Sequence, residues 1–431
     1  MFWRPRWLGS NKLTHDPAPA RLTLLRAVAI LIYTRVQMRI YLDYNATTPV
    51  DPAVLTAMLP YFGDKFGNAG SVHSAGQAAR AAVDAARESV AALIGAKLSE
   101  IVFTSGGTEA DNLAIFGVVA VSPQARKHVI TTTIEHHAVL HSCEELQRQG
   151  IDVTFVPVNR SAGLEGIVDP DDIRRALRPE TVLITVMHSN NELGTIQPVE
   201  EIGRIAAEAE VYFHCDAVQS AGKLPLDVNL LGVDLLSLSA HKIYGPKGSG
   251  ALYVRSGTSL GALSYGGHAE RDRRAGTENV PGIVGFGKAA ELARKLLAEE
   301  TPRIGAFRDR LEAALVDRIP DVRVNGDRAH RLSNTSNLTF SGAGGEALLI
   351  SLDLQGVACS TGAACSSGST EPSHVLLAAG ISPEDARSSL RFSVGRSTSA
   401  EDIDYAIRVI PPAVERLRAL SPHFVPGVLA R

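Results

Sequence analysis

The sequence predicts an α/β protein with a mainly parallel β-sheet that is covered by helices on both faces. Short apolar segments of strand length, such as Ile101–Thr104 and His128–Thr132, alternate with segments whose apolar residues recur at helical spacing. Polar clusters follow several of these strands directly. Because such sheets bind ligands outside the carboxyl ends of their strands, the clusters predict one shared site at that edge.

The first two thirds of the chain contain seven predicted strands, with helices between most of them. We place the strands at residues 101–104, 128–132, 153–157, 182–187, 211–214, 233–238 and 251–254. Helices are predicted over residues 78–94, 110–121, 138–149, 170–177, 199–210 and 283–315. The rest is predicted as a smaller α+β domain, with strands at 336–340 and 391–394 and helices at 346–354 and 400–420.

Composition and charge are those of an ordinary soluble protein. The chain has 431 residues, of which 45% are apolar and 21% charged, with a formal net charge of −3. This balance indicates neither a nucleic-acid partner nor binding to an acidic membrane surface. The four cysteines are too few and too scattered for a disulfide framework, and no CxxC pair suggests a metal site. We therefore expect a cytoplasmic protein.

Residues 1–37 differ in composition from the rest of the chain. They contain five arginines and one lysine against a single acid, Asp16, and their apolar run is too short to span a bilayer. An arginine-rich segment poor in acids is typical of an organellar transit peptide. The alternative is a disordered tail, or an untranslated stretch with the true start at Met38. We favour this alternative, because residues 38–43 read as a natural beginning.

A glycine-rich turn between a strand and a helix is the first candidate for ligand binding. Ser105, Gly106, Gly107 and Thr108 follow the strand Ile101–Thr104 and precede a helical pattern. Backbone N–H groups at such a helix start can hold a phosphate together with the threonine hydroxyl, although the same residues also serve as an ordinary cap. The spacing matches neither the dinucleotide nor the nucleoside-triphosphate glycine motif, so those ligands are disfavoured.

Lys242 is the candidate for covalent chemistry, because it follows the buried strand predicted at residues 233–238. A lone lysine in such a place more often opens a surface loop. Partial burial, however, lowers the pKa of an amine and makes it a nucleophile that can form a Schiff base. Asp216 stands at the end of another strand, where a carboxylate could keep a pyridine nitrogen protonated. Together with Gly107 and Thr108, these residues predict a pyridoxal-phosphate site.

Cys365 lies in a run of small residues, 360–369, and is the candidate nucleophile of a mobile loop. Only a thiolate reacts, and an unperturbed thiol of pKa about 8.5 needs a nearby group to take its proton. Cys143, Cys215 and Cys359 are interpreted as structural residues of a helix and of strands.

Three neighbouring histidines raise the alternative of a zinc site, since His137 and His141 lie one helical turn apart and His136 precedes them. The acid precedes the histidines, so the H-E-x-x-H order of zinc enzymes is absent, and no third ligand is evident. We therefore favour an aromatic ring that stacks on a cofactor, and we expect no metal.

The chain also contains a series of short motifs. They are Tyr41-Leu42-Asp43 with Asn45-Ala46-Thr47-Thr48, Ser105-Gly106-Gly107-Thr108-Glu109, Glu135-His136, Asn190-Asn191-Glu192, Asp216-Ala217-Val218-Gln219, Ser239-Ala240-His241-Lys242 and Arg391-Phe392-Ser393. In these motifs, and in their order over residues 38 to about 421, the chain resembles the cysteine desulfurases of the NifS/IscS type. These are class V pyridoxal-phosphate enzymes of fold type I. Residues 267–279 look closer to the nitrogen-fixation branch of that family.

The resemblance implies a role for each matching residue. Lys242 would bind the cofactor covalently, Asp216 would pair with its ring nitrogen, and Cys365 would accept the substrate sulfur. The remaining contacts would be made by His136 (stacking on the ring and acid/base chemistry), Gln219 (ring hydroxyl), Gly107, Thr108, Ser239 and His241 (phosphate), Thr277 (phosphate, from the other subunit of a homodimer), and Asn191 and Arg391 (substrate carboxylate).

The implied reaction converts L-cysteine to L-alanine and leaves a persulfide on Cys365, from which an iron–sulfur scaffold protein receives the sulfur. The implied architecture is a large domain of residues 48–297 and a small domain of residues 38–47 and 298–431 that carries the cysteine loop. Two alternatives compete: another class V enzyme, such as a selenocysteine lyase or aminotransferase, and a catalytically silent subunit. Cys365 disfavours an aminotransferase, and the intact Lys242 site disfavours a silent subunit.

Overall fold

The computed structural model describes residues 40–161, 163, 165–361 and 371–420, all within one compact unit, Ile40–Arg431. The leader predicted for residues 1–37 and the cysteine loop around Cys365 lie outside the described residues. Within the described residues, no helix has the length and apolar character that crossing a membrane requires.

A seven-stranded sheet forms the centre of the fold. Its strands are β2 (Ile101–Thr104), β3 (His128–Thr132), β4 (Asp152–Val156), β5 (Thr181–Thr185), β6 (Tyr212–Asp216), β7 (Leu235–Ser239) and β8 (Gly250–Val254). They lie in the order β2-β8-β7-β6-β5-β3-β4. All neighbours pair in parallel except β8, which is antiparallel to both β2 and β7. The predicted fold class is confirmed, and the strands lie within about two residues of their predicted positions.

Helices cover both faces of this sheet. Neighbouring residues of one strand enter different apolar clusters: Val102 packs in one and Phe103 in the other, because alternate side chains of a strand point to opposite faces. The helices of this part are α1 (Pro52–Met58), α2 (Ser74–Leu93), α3 (Gly107–Val121), α4 (His137–Arg148), α5 (Pro170–Ala176), α6 (Val199–Glu208) and α7 (Val280–Arg318).

The remaining strands form two smaller sheets. β9 (Val322–Val324), β10 (Thr335–Phe340) and β12 (Ser389–Ser393) make an antiparallel sheet, and β1 (Ile40–Tyr41) pairs in parallel with β11 (Val357–Ala358). The helices that accompany them are α8 (Gly345–Asp353), α9 (His374–Ala378), α10 (Pro383–Arg387) and α11 (Ala400–Leu420). A separate apolar cluster joins residues 40–42 with residues 304–414. The continuous helix α7 crosses the predicted boundary at residue 298, so the division into two domains stays a prediction.

Candidate active site

The ends of β6 and β7 bring the predicted residues Asp216 and Ser239 to the same edge of the central sheet. These strands pair in parallel, with Asp216 opposite Ser237, so both strands end at the same edge of the sheet. β6 ends at Asp216 and β7 ends at Ser239. The start of α3 lies against the same edge, since a Cβ at Gly107 would lie 2.7 Å from Val218 Cγ2 and 3.7 Å from Ser239 Cβ. Glycine is therefore required for the close approach of this helix start.

Lys242 lies in a 3₁₀ turn, Ala240–Lys242, that follows β7 directly. Its half-buried side chain points toward the segment after β1, where Nζ donates hydrogen bonds to the carbonyl oxygens of Asn45 (2.5 Å) and Ala46 (2.9 Å). The same segment holds the turn from the other side, because Thr48 donates to the His241 carbonyl through its backbone N–H and its hydroxyl. The lysine is thus positioned by a segment almost two hundred residues away.

Asp216 is buried beside this amine. Its Oδ1 accepts a hydrogen bond from the Val218 N–H at 2.9 Å. Burial raises the pKa of Asp216 to about 6, although the Val218 N–H and the positive charge of Lys242 oppose the rise. Burial and the charge of Asp216 also raise the pKa of the neighbouring Asp111 well above its usual value. A cationic group that hydrogen-bonds the Asp216 carboxylate would offset part of the cost of burying its charge.

Asn45 joins several of the predicted residues and was missed as a site residue. Its carbonyl oxygen accepts from Gln219 Nε2 (3.0 Å) as well as from Lys242. Its side-chain amide donates to the Asn191 carbonyl (3.1 Å) and to Thr335 Oγ1 (2.8 Å). The residue belongs to the predicted motif at residues 41–48, but its role depends on partners that only the tertiary structure brings close.

The predicted phosphate-binding residues differ in their exposure. Ser239 Oγ is fully buried and has no hydrogen-bond partner among the residues that the structure describes. Thr108 is exposed in the first turn of α3, and His241 shares a hydrogen bond of 3.0 Å between its Nδ1 and Thr47 Oγ1. Burial lowers the pKa of His241 to about 4, so the ring is neutral at neutral pH.

These features fit pyridoxal phosphate. The orphaned Ser239 hydroxyl and the start of α3 can donate to a phosphate, and the buried Asp216 carboxylate can pair with a pyridinium nitrogen. The Lys242 amine lies at the same sheet edge and can bind an aldehyde. Thr277 is exposed and lines a cleft of about 240 Å³ with Thr104 and Ser105.

His136 is the N-cap of α4 and lines a pocket of about 390 Å³ together with Thr108, His137 and His141. Its Nδ1 accepts the Ala138 N–H at 3.1 Å. Burial and then the charge of Lys242 lower the pKa of His136 to about 4, so this ring is neutral at neutral pH. Within the described ranges, no group of three or more histidine, cysteine or acidic side chains could hold a metal ion.

Arg391 is almost completely buried in β12. Its guanidinium donates to Asp43 Oδ1 at 2.6 Å and to the Asn191 carbonyl oxygen at 3.0 Å. Asn191 therefore meets Arg391 through its backbone, whereas the prediction named it without distinguishing main chain from side chain. The Nε of Arg391 has no hydrogen-bond partner in the part of the chain that the structure covers. Asp43, which balances this buried cation, belongs to a predicted motif but was not predicted as a site residue.

Cys365 lies outside the described residues, but both flanks of its segment are described. On one side, Ser360 pairs with Arg391 through two backbone hydrogen bonds. On the other side, Ser373 Oγ donates to Glu192 Oε2 at 2.6 Å, and His374 Nε2 lies 3.0 Å from the Glu135 carbonyl oxygen. The segment thus begins and ends beside residues of the predicted site.

The other three cysteines are buried. Burial raises the pKa of Cys143 to about 12, and it also raises the pKa of the Cys215 and Cys359 thiols. All three therefore stay protonated at neutral pH, as structural cysteines do.

Comparisons with known proteins agree on one family. Residues 40–406 match the model of the family described as aminotransferase class-V. The chain is 50% identical over 384 residues to a cysteine desulfurase IscS of Dictyoglomus turgidum, covering 89% of this chain and 96% of that one. It is 52% identical over 388 residues to the cysteine desulfurase IscS of Anaeromyxobacter dehalogenans, covering 89% and 95%.

Solved structures agree in fold. A NifS-like protein superposes with a TM-score of 0.82 at 36% identity, covering 88% of this chain and 100% of that one. A NifS-like protein from Rickettsia africae gives a TM-score of 0.77 at 31% identity, covering 88% and 99%.

Proposed function

Because the chain belongs to the aminotransferase class-V family, we propose that Lys242, Asp216 and Cys365 carry the reaction of its relatives. The chain is a pyridoxal-phosphate-dependent cysteine desulfurase, which supplies sulfur for iron–sulfur cluster assembly. The reaction converts L-cysteine to L-alanine. The observation that supports the residue roles best is that the Lys242 amine, the buried Asp216 carboxylate and the orphaned Ser239 hydroxyl lie at one sheet edge.

Pyridoxal phosphate, when bound, supplies an electron sink that stabilises negative charge at the substrate α-carbon. In this proposal Asp216 keeps the ring nitrogen protonated, and Gln219 donates a hydrogen bond to the ring hydroxyl. Gly107, Thr108, Ser239 and His241 hold the phosphate.

Lys242 holds the cofactor before substrate arrives and afterwards acts as the base. Its freed amine takes the α-proton and returns it on the way to alanine. General acid–base steps of this kind contribute about 10²–10⁴-fold to a rate. His136 stacks on the ring and, being neutral at neutral pH, can also accept a proton.

Arg391 and Asn191 bind the substrate carboxylate. The planar guanidinium suits a carboxylate. Its buried Nε has no hydrogen-bond partner among the described residues, so it can donate to the substrate carboxylate. The Asp43 carboxylate, which lies 2.6 Å from Arg391 Nη2, keeps this cation in place when no substrate is bound.

Cys365 attacks the substrate sulfur. Its thiolate forms an S–S bond to that sulfur as the substrate C–S bond breaks, and the electron pair of the broken bond stays on the substrate β-carbon, which takes a proton on the way to alanine. Because Ser360 pairs with Arg391 and Ser373 bonds Glu192, the segment between them starts and ends within reach of the bound substrate.

The proposal extends to a homodimer in which Thr277 of one subunit reaches the phosphate of the other. Thr277 is exposed in the single chain, as a residue that contacts a second subunit must be. A scaffold protein as sulfur acceptor and a cytoplasmic location belong to the proposal as well. The nitrogen-fixation branch stays a prediction, since the curated relatives carry the IscS name.

The test is production of alanine and sulfide from L-cysteine with added dithiothreitol. Wild type should be active, whereas Lys242→Ala and Cys365→Ala should each lose at least about hundredfold in rate, the low end for loss of an acid–base or nucleophilic group. Cys359→Ala is the matched control, because Cys359 is a buried cysteine six positions before Cys365. It should keep the wild-type activity. Full sulfide production by Cys365→Ala would refute the role of this thiol and favour another class V chemistry.

A further inference from the structure

We propose that Lys223 is a positioning residue that holds the amide of Gln219 in the orientation in which its N–H₂ group faces the cofactor. This inference rests on the proposed function, because Gln219 is assigned to the ring hydroxyl there. Lys223 belongs to none of the motifs that carry the family resemblance. It lies four residues after Gln219, in the turn that follows β6.

Lys223 binds both oxygens of Gln219. Its Nζ lies 2.8 Å from the Gln219 carbonyl oxygen and 3.4 Å from Oε1. On the other side of the amide, Gln219 Nε2 donates to the Asn45 carbonyl at 3.0 Å. An ammonium group can donate only to the amide oxygen, and a carbonyl can accept only from the amide nitrogen. The two neighbours therefore select the same orientation of the Gln219 side chain.

The series of hydrogen bonds from Lys223 through Gln219 to Asn45 ends at the amine of Lys242. The Asn45 carbonyl that accepts from Gln219 also accepts from Lys242. A glutamine N–H₂ group has two hydrogens, and the Asn45 carbonyl uses one of them. The second hydrogen is the one that can reach the ring hydroxyl, and its direction depends on how firmly Lys223 holds Oε1.

A lysine at this place is unfavourable for stability alone. It lines a small cavity, about 30 Å³, together with Lys242 and Arg396. Burial, with the charges of Lys242 and Arg391, lowers the pKa of Lys223 to about 7. A methionine of similar length would fill the space without placing a second amine near Lys242. Residues that violate the rules of stable packing are expected at functional sites.

The test combines Lys223→Met with Gln219→Ala in the cofactor-loaded protein. The primary readout is the visible absorbance of the bound cofactor as a function of pH, because a hydrogen bond to the ring hydroxyl changes the titration of the adjacent imine. We expect Lys223→Met to move the titration midpoint by at least about half a pH unit and to lower kcat about tenfold, the size of one lost hydrogen bond in a site. Lys223→Arg, which keeps a donor, should retain more of the wild-type spectrum.

The double variant decides whether Lys223 acts through Gln219. In the Gln219→Ala background, Lys223→Met should change neither the titration midpoint nor kcat further. An equal effect in both backgrounds, or an unchanged titration in Lys223→Met, would overturn the inference.

Lys127→Met is the matched control, because Lys127 also donates to a backbone carbonyl, that of Val119, away from the site. It should leave the spectrum unchanged. If the wild type itself shows no visible imine absorbance and makes no alanine from L-cysteine, the proposed function fails and the inference fails with it. If the wild type shows both and only the Lys223 effect is missing, the inference alone fails.

Discussion

Replacing Asp216 by asparagine should affect stability and activity in opposite directions. In the cofactor-free protein, burial raises the pKa of Asp216 from the ordinary 3.8 to about 6. The folded state therefore binds the proton more tightly than the unfolded state. The resulting cost of ionisation is absent below about pH 4, grows between pH 4 and pH 6, and is complete above pH 6. Asparagine has no such cost.

The size of the effect follows from the two pKa values. Their difference corresponds to about 3 kcal/mol in the free energy of unfolding at neutral pH, since a shift of one pKa unit is worth about 1.36 kcal/mol. Asparagine is nearly isosteric, and its Oδ1 can still accept the Val218 N–H. Cofactor-free Asp216→Asn should thus be more stable than the wild type by up to about 3 kcal/mol at pH 7.5, and equally stable near pH 4.

The loaded enzyme should show the opposite effect. Asparagine cannot form a charged hydrogen bond with a pyridinium, and such bonds contribute about 1.5–3 kcal/mol. The value of kcat should therefore fall about ten- to hundredfold.

The assay is urea unfolding of the cofactor-free proteins at several pH values, followed by circular dichroism, together with alanine production by the loaded proteins. Asp227→Asn is the matched control, because Asp227 Oδ1 accepts the Asn229 N–H at 2.8 Å in the same kind of turn on the surface. It should change stability by less than about 0.5 kcal/mol. A cofactor-free Asp216→Asn that is less stable than the wild type at pH 7.5 would refute the reasoning.

Three further predictions concern packing and recognition. Gly107→Ala should weaken pyridoxal-phosphate binding about tenfold or more in a fluorescence titration, because its Cβ would be overpacked, whereas Gly106→Ala has room among the described residues and should bind normally. Glu270→Gln should lower the free energy of unfolding by about 3–5 kcal/mol in urea, since it breaks a buried two-bond ion pair with Arg87; a loss below 1 kcal/mol would contradict this. Arg391→Lys should raise the KM for L-cysteine more than it lowers kcat, because lysine lacks the planar fork; an unchanged KM would exclude a role in substrate binding.

The sequence by itself determined the elements of the fold and the chemical types at the site. Short continuous apolar runs predicted the seven central strands, because most of these strands are buried along their whole length in a sheet that helices cover on both faces. The position of Asp216, Ser239 and Lys242 after strands predicted a shared edge, since parallel strands end together. Periodicity could not show that β8 runs antiparallel, because an apolar strand has the same pattern in either direction.

Only the tertiary structure decided which groups touch. Asn45 meets Gln219 and Lys242 across 174 and 197 residues of chain, and Arg391 meets Asp43 across 348. Contacts of this range arise when the sheet edge, the segment after β1 and the small sheet pack together, and no local pattern encodes them. Lys223 is the clearest case: in the sequence it is an ordinary lysine in a turn, and packing alone places its amine on both oxygens of Gln219.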